Sequence, residues 1–255
     1  MIRALLIALC LPAAAAAQIP SELARADLNL GWREDGVHVA GLRIRMLPGW
    51  KTYWRAPGDS GIPPTFNWSG SDNLKAVRVQ YPVPEVFYTD GMRSFGYHDE
   101  VTFPLWIEPQ DPSRPVTLKG EMELGVCDDV CVPVTLRIGG ALPPGGQRGP
   151  DLSAAIQDRP ERAHGLRCDI LPIEDGLQLS VELDSPRLGT EDVAVVETSD
   201  PTIWVSTPEV SRSGGRLRAV VDMVPLQAKP FALARSDVRL TILGGGRAVE
   251  ALGCD

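Results

Sequence analysis

Histidine is scarce in this chain, with three in 255 residues, and aromatic residues make up only 6%. His38, His98 and His164 have no evident acid partner, and no G-x-S-x-G occurs, so a serine-hydrolase reading lacks both its base and its nucleophile motif. Past the first residues no apolar run approaches the roughly 20 residues that a spanning helix needs, so the mature chain is not itself expected to span a membrane. Long stretches of 3.6-residue periodicity are missing, which argues against a helical fold. Basic blocks are missing too. The chain carries 25 Lys and Arg against 33 Asp and Glu, a net charge of −8 with the acidic residues scattered, and nucleic acid is not an expected partner.

What is present begins with an address. Arg3, the apolar run Ala4–Leu11 and Ala15-Ala16-Ala17 before Gln18 read as a secretory signal with an A-x-A cleavage site, over residues 1–17. Cys10 leaves with it. A mature chain of about 240 residues exceeds the usual size of one domain and favours two.

Short alternating runs then point to an all-β chain. In the first half they are Leu23–Leu30, Val37–Leu47, Leu74–Tyr81, Val101–Ile107, Val116–Leu124 and Val134–Ile138, at intervals suited to a sandwich. Alternation in Val37–Leu47 slips at Ala40-Gly41, which suggests a bulge. Gly139 to Pro160 holds too many glycines and prolines for a strand and reads as a linker. Within it Asp151 is expected to cap a short helix ending before Pro160. Strand patterns resume with Leu166–Ile173 and Leu177–Leu183 and continue to Ala248–Leu252. Asp175-Gly176, Ser213-Gly214-Gly215 and Gly244-Gly245-Gly246 mark hairpin turns. The expectation is two β-sandwiches: residues 18–138, a linker at 139–160 with a short helix, and residues 161–255.

Four cysteines remain after the signal, and an even count in an exported protein favours two disulfides, with three pairings possible. Joining Cys168, at the start of the second half, to Cys254 would close nearly the whole second domain and leave Cys127 and Cys131 as a local pair. The chain-entropy model separates the two bonds in kind. A ring of 87 residues from Cys168 to Cys254 is worth about 4.6 kcal/mol, and one of 5 residues only about 2. The long ring is a structural staple and the short one a poor one. Cysteines four apart on a straight strand lie about 13 Å from each other, too far to bond, so the segment must turn. Gly125 to Pro133 fits a hairpin tip with Asp128 and Asp129 in the turn and Pro133 limiting further pairing. A small disulfide at a tip is open to attack by an incoming thiolate, which favours redox exchange. The adjoining carboxylates disfavour a free thiolate, so the pair is expected to react mainly within a docked complex. A structural clip and a soft Cu(I) site stay open as alternatives. No histidine has ligand spacing to the pair, and no metal or organic cofactor is assigned.

The run Gly49-Trp50-Lys51-Thr52-Tyr53-Trp54-Arg55-Ala56-Pro57-Gly58-Asp59-Ser60-Gly61-Ile62-Pro63-Pro64 is joined downstream by Phe87-Tyr88, Phe95-Gly96-Tyr97 and Cys127 with Cys131-Val132-Pro133. Together these resemble the N-terminal periplasmic domain of the thiol:disulfide interchange protein DsbD, in its ScsB-like branch, over roughly residues 25 to 140. The resemblance implies immunoglobulin-like sandwiches, a periplasmic location, and electron transfer from a separate membrane transporter to thioredoxin-like and oxidised periplasmic proteins. It implies that Cys131 contacts partners while Cys127 resolves. It places a shielding cap loop at Glu85-Val86-Phe87-Tyr88, with Phe87 as the lid residue and Tyr88 beside it. Trp50, Tyr53, Trp54, Trp68 and Trp106 are read as core or turn anchors, because large rings carry much of a sandwich's buried area. The rival readings are a binding module with purely structural disulfides and a copper-handling protein.

Overall fold

The computed structural model describes residues 23–255; the expected signal segment and Cys10 lie outside them. Alternating burial along short strands builds two stacked pairs of sheets, as the period-2 patterns require. In the first half the strands are β1 (Ala24–Glu34), β2 (Val37–Met46), β3 (Lys51–Gly58), β4 (Thr65–Asn67), β5 (Leu74–Val79), β6 (Glu85–Thr89), β7 (Met92–His98), β8 (Glu100–Pro109), β9 (Val116–Cys127) and β10 (Cys131–Leu142). One sheet has the order β1-β2-β8-β5. The other is β10-β9-β3-β7-β6, with β4 pairing β9 beyond the point where β3 departs. Ala40, Leu42 and Ile44 of β2, Phe103, Leu105 and Ile107 of β8, and Leu118, Met122 and Leu124 of β9 fill the space between them.

The slip at Ala40-Gly41 marks a real irregularity, but the extra residues belong to the partner strand. Pairing jumps from Asn29↔Gly41 to Trp32↔Val39, leaving Leu30 and Gly31 opposite Ala40. A Cβ on Gly31 would lie 1.8 Å from the Val39 oxygen, and its φ is +60°, so the bulge needs glycine there. The bulge turns the Leu30 carbonyl toward His38, which is fully buried. A carbonyl only accepts, so Nε2 carries the proton and Nδ1 is left buried without a partner.

Asp151 does not cap the helix. Helix α1 (Pro150–Gln157) takes Gly149 as its N-cap, with Pro150 pre-set in the first turn and no side-chain cap. Asp151 instead accepts from Arg43 at 3.1 Å. Leu152 is buried against Trp32 and Val39, so the helix covers the outer face of the β2 sheet. The stretch read as linker also begins later than its composition suggested, because β10 stays paired through Leu142. Gly140 allows this: a Cβ there would meet Leu28 at 2.8 Å.

The second half adds β11 (Glu161–Arg162), β12 (Arg167–Ile173), β13 (Gly176–Asp184), β14 (Val193–Glu197), β15 (Trp204–Val205), β16 (Glu209–Ser213), β17 (Arg216–Val224), β18 (Arg239–Gly244) and β19 (Arg247–Leu252). Its sheets are β11-β19-β18-β14 and β12-β13-β17-β15, with β16 also on β17. The three glycine turns join β12 to β13, β16 to β17 and β18 to β19. Cys168 of β12 is bonded to Cys254, Cα to Cα 5.6 Å.

The halves share apolar surface. Val193, Val195, Leu243 and Ala248 of the second belong to the same buried cluster as Phe95 and Tyr97 of the first. Above this contact Arg55 makes two bonds to Glu197, at 3.0 and 2.9 Å, and one to Glu250, while stacking 4.0 Å over Trp54. All three charged side chains are mostly buried. The paired carboxylates outweigh the desolvation of Arg55 and push its guanidinium pKa up. Arg55→Ala would strand two carboxylates and is expected to destabilise the chain by about 3 kcal/mol, read as a lower urea midpoint. His38 supplies a second check. Burial is the main cause holding its pKa below 6.5; the Leu30 bond opposes this, and Arg33 adds to it. The unfolded chain therefore takes up the proton first. Stability is complete above pH 6.5 and falls as pH drops from there to the depressed native pKa. In urea titrations His38→Gln should flatten that slope on the acid side of pH 6.5.

Candidate redox site

Strands β9 and β10 form a hairpin whose last pair is Cys127↔Cys131, with Asp128, Asp129 and Val130 as the connection. The two cysteines are bonded, Cα to Cα 4.1 Å. Their exposures differ: Cys127 is fully buried, whereas Cys131 is exposed, as is Val130 beside it. Pro133 does not stop the pairing. It faces Gly125 within a ladder that runs to Leu142, and it is tolerated because β10 is the edge of its sheet.

Register places the neighbours. Cys127 pairs with Lys51, and Lys51 with His98, so Cys131, Cys127, Lys51 and His98 form one row on the outer face of the sheet. Two residues along β3 on the same face stands Tyr53, beside Gly96 of β7 and in line with Gly125 of β9. Both flanking positions are glycines for steric reasons. A Cβ at Gly96 would lie 1.9 Å from the Thr52 oxygen, and one at Gly125 2.9 Å from Ile62 Cβ. Ile62 therefore lies over Gly125. Phe87 stands opposite Ser94 and its ring meets His98 at 4.5 Å between centroids, so it lies across Gly96. Gly61 rests on the Tyr53 ring, where a Cβ would sit 2.5 Å from Cδ1.

Enclosed this way, Tyr53 is 2% exposed and its hydroxyl lies 3.3 Å from Cys131 Sγ. A bonded sulfur has no proton, so the phenol donates. Burial pushes the Tyr53 pKa up, which keeps the phenol protonated and a donor.

The aromatic residues expected at the cap lie in strand β6 and not in a loop. Phe87 is buried, with Lys51 Nζ 5.1 Å over its ring, and Tyr88 is exposed to solvent. Phe87 thus borders the row of the pair through Lys51 and His98. His98 itself bonds Glu85 at 3.1 Å, and His38 is in the core. Cys168 and Cys254 lie together in the other sandwich, apart from this face. Tyr53 is the site residue that the sequence reading missed, having been taken for a core anchor. Its i, i+2 spacing from Lys51 was visible, but the register that sets both beside the cysteines was not.

Comparison with known proteins adds three findings. Residues 17–139 match the model of the family described as "Thiol:disulfide interchange protein DsbD, N-terminal". The structure resembles the crystal structure of the N-terminal periplasmic domain of ScsB from Proteus mirabilis, with a TM-score of 0.62 at 20% identity, over 89% of this chain and 98% of that one. At that identity the likeness speaks for fold: an immunoglobulin-like sandwich arrangement. No curated protein matches the chain in sequence.

A donor to sulfur stabilises a thiolate more than a thiol. Tyr53→Phe in the reduced protein is expected to raise the Cys131 thiol pKa by about one unit, seen as an upward shift in the pH profile of iodoacetamide alkylation.

Proposed function

Residues 17–139 belong to the DsbD N-terminal family, and from that premise we propose that the chain carries electrons between thioredoxin-like proteins in the periplasm through Cys127 and Cys131. The family implies thiol–disulfide exchange. The observation that carries the finer reading is the unequal exposure of the pair: an incoming thiolate meets Cys131, while Cys127 is walled in beside Lys51.

Charging begins with a donor dithiol. One donor thiolate attacks Cys131 Sγ, the 127–131 bond breaks, and Cys127 leaves as a thiolate that takes a proton. The donor's second thiolate then attacks the donor sulfur of the mixed disulfide and Cys131 leaves as a thiolate, so the donor ends as a disulfide and the Cys127–Cys131 pair has gained two electrons. Delivery reverses the roles. The Cys131 thiolate attacks the acceptor's disulfide, and Cys127 resolves the mixed bond and frees the reduced acceptor. Tyr53 steadies charge on Cys131 in both steps. Asp128 and Asp129 at the tip disfavour a free thiolate and leave reaction to docked complexes. A separate membrane protein is the expected electron source, and Cys168–Cys254 serves as a staple with no part in the chemistry.

Glutathione titration, with alkylation and mass spectrometry to assign thiols, should give the Cys127–Cys131 pair a potential between about −180 and −270 mV, the range of exchange proteins. Cys127→Ala should then accumulate mixed disulfides at Cys131. A bond that glutathione leaves intact, with a potential below about −300 mV, would make the pair a structural clip and overturn the proposal.

A further inference from the structure

Between the sandwiches lies a cleft of 540 Å³. Its walls carry Pro57 and Pro63 from the first half and Pro201, Trp204 and Pro208 from the second, with Arg93 at one side. Trp204 is 60% exposed, unusual for the largest apolar side chain. It sits on β15, the end strand of its sheet, whose pairing is to β17 on one side. A single loop connects this cleft to the disulfide. In residues 58–64, Gly61 lies on the Tyr53 ring, Ile62 covers Gly125, and Pro63 turns into the cleft. The loop is anchored to the second half by Thr207, which donates to Asp59 at 2.9 Å, and Asp59 in turn accepts from the Arg93 backbone N–H. The site and the cleft are thus two faces of one anchored segment.

We propose that the cleft is the second half's contribution to partner binding: it receives an extended apolar segment of the oxidised protein whose sulfur is joined to Cys131. Prolines present rigid apolar surface without N–H groups, and an exposed tryptophan offers a flat face with one donor. Beside them the end strand β15 can take main-chain hydrogen bonds from an extended chain, the strand-addition mode of peptide recognition. A rounded small molecule would leave that edge unused. The inference rests on Cys131 being the sulfur that partners reach.

The test uses the mature chain with Cys127→Ala, and cysteine peptides activated as mixed disulfides with thionitrobenzoate. Cys131 thiolate attacks the peptide sulfur and thionitrobenzoate leaves as a thiolate, so one disulfide replaces another without net oxidation. Peptides carrying a Leu-Pro-Leu run at varied distances from cysteine are compared with Gly-Ser controls and with glutathione, under competition by 2-mercaptoethanol. At one spacing the apolar peptide should be retained about tenfold better than its control, as a buried aromatic anchor warrants. Trp204→Ala should abolish that preference without changing capture of glutathione. Equal retention of all peptides, or a preference that survives Trp204→Ala, would overturn the cleft and leave the redox reading standing. Failure to capture glutathione itself would instead remove the redox reading. If Trp204→Ala converts a dimer of the free chain to monomers in sedimentation, the cleft holds a second copy and the proposal is wrong.

Discussion

The site depends on the register of β9 between its two neighbours. Because side chains alternate between faces, a slip of one residue would carry Cys127 into the space now filled by Val126 and send Val126 outward. The core opposes this. Val126, Leu124 and Met122 are fully packed inside, so the outward placement of Cys127, Gly125 and Glu123 follows from their burial. Thr52 adds a local lock by donating to the Gly125 carbonyl at 2.8 Å in a buried position. Hydrophobic patterning thus places the Cys127–Cys131 disulfide on the outer face of the sheet.

The same sheet explains why the second sandwich is more than an appendage. Strands β6 and β7 border it, and residues of β14, β18 and β19 complete the apolar cluster on their inner side. On their outer side Phe87 lies over Gly96 and against the row that contains the cysteines. Arg55 follows Tyr53 by two residues on β3, so one strand carries both the contact to the sulfur and the tie between the halves. Changes in packing between the sandwiches therefore act on β3 directly.

Much of this was legible in the sequence, and the gaps have physical causes. Alternating runs gave away β2, β8, β9 and β13, whose one-sided or central burial leaves a clear period. Strands β3, β6 and β7 escaped notice because Lys51–Gly58 ends in Pro57-Gly58 and Met92–His98 carries Gly96, breakers that here serve close approach. The helix was foreseen, but its cap was assigned to Asp151 when Gly149 and Pro150 already fix the start. The cysteine turn was readable from four-residue spacing alone. The contact between Tyr53 and Cys131 was not, since it joins residues 78 apart through two strand registers.

Pro133 has one more effect. It lies two residues from Cys131, on the end strand of its sheet, and it has no N–H to offer an approaching strand. A second copy aligning its own β10 alongside would meet a gap in the ladder next to Cys131. The edge that carries Cys131 is thereby a poor template for self-pairing.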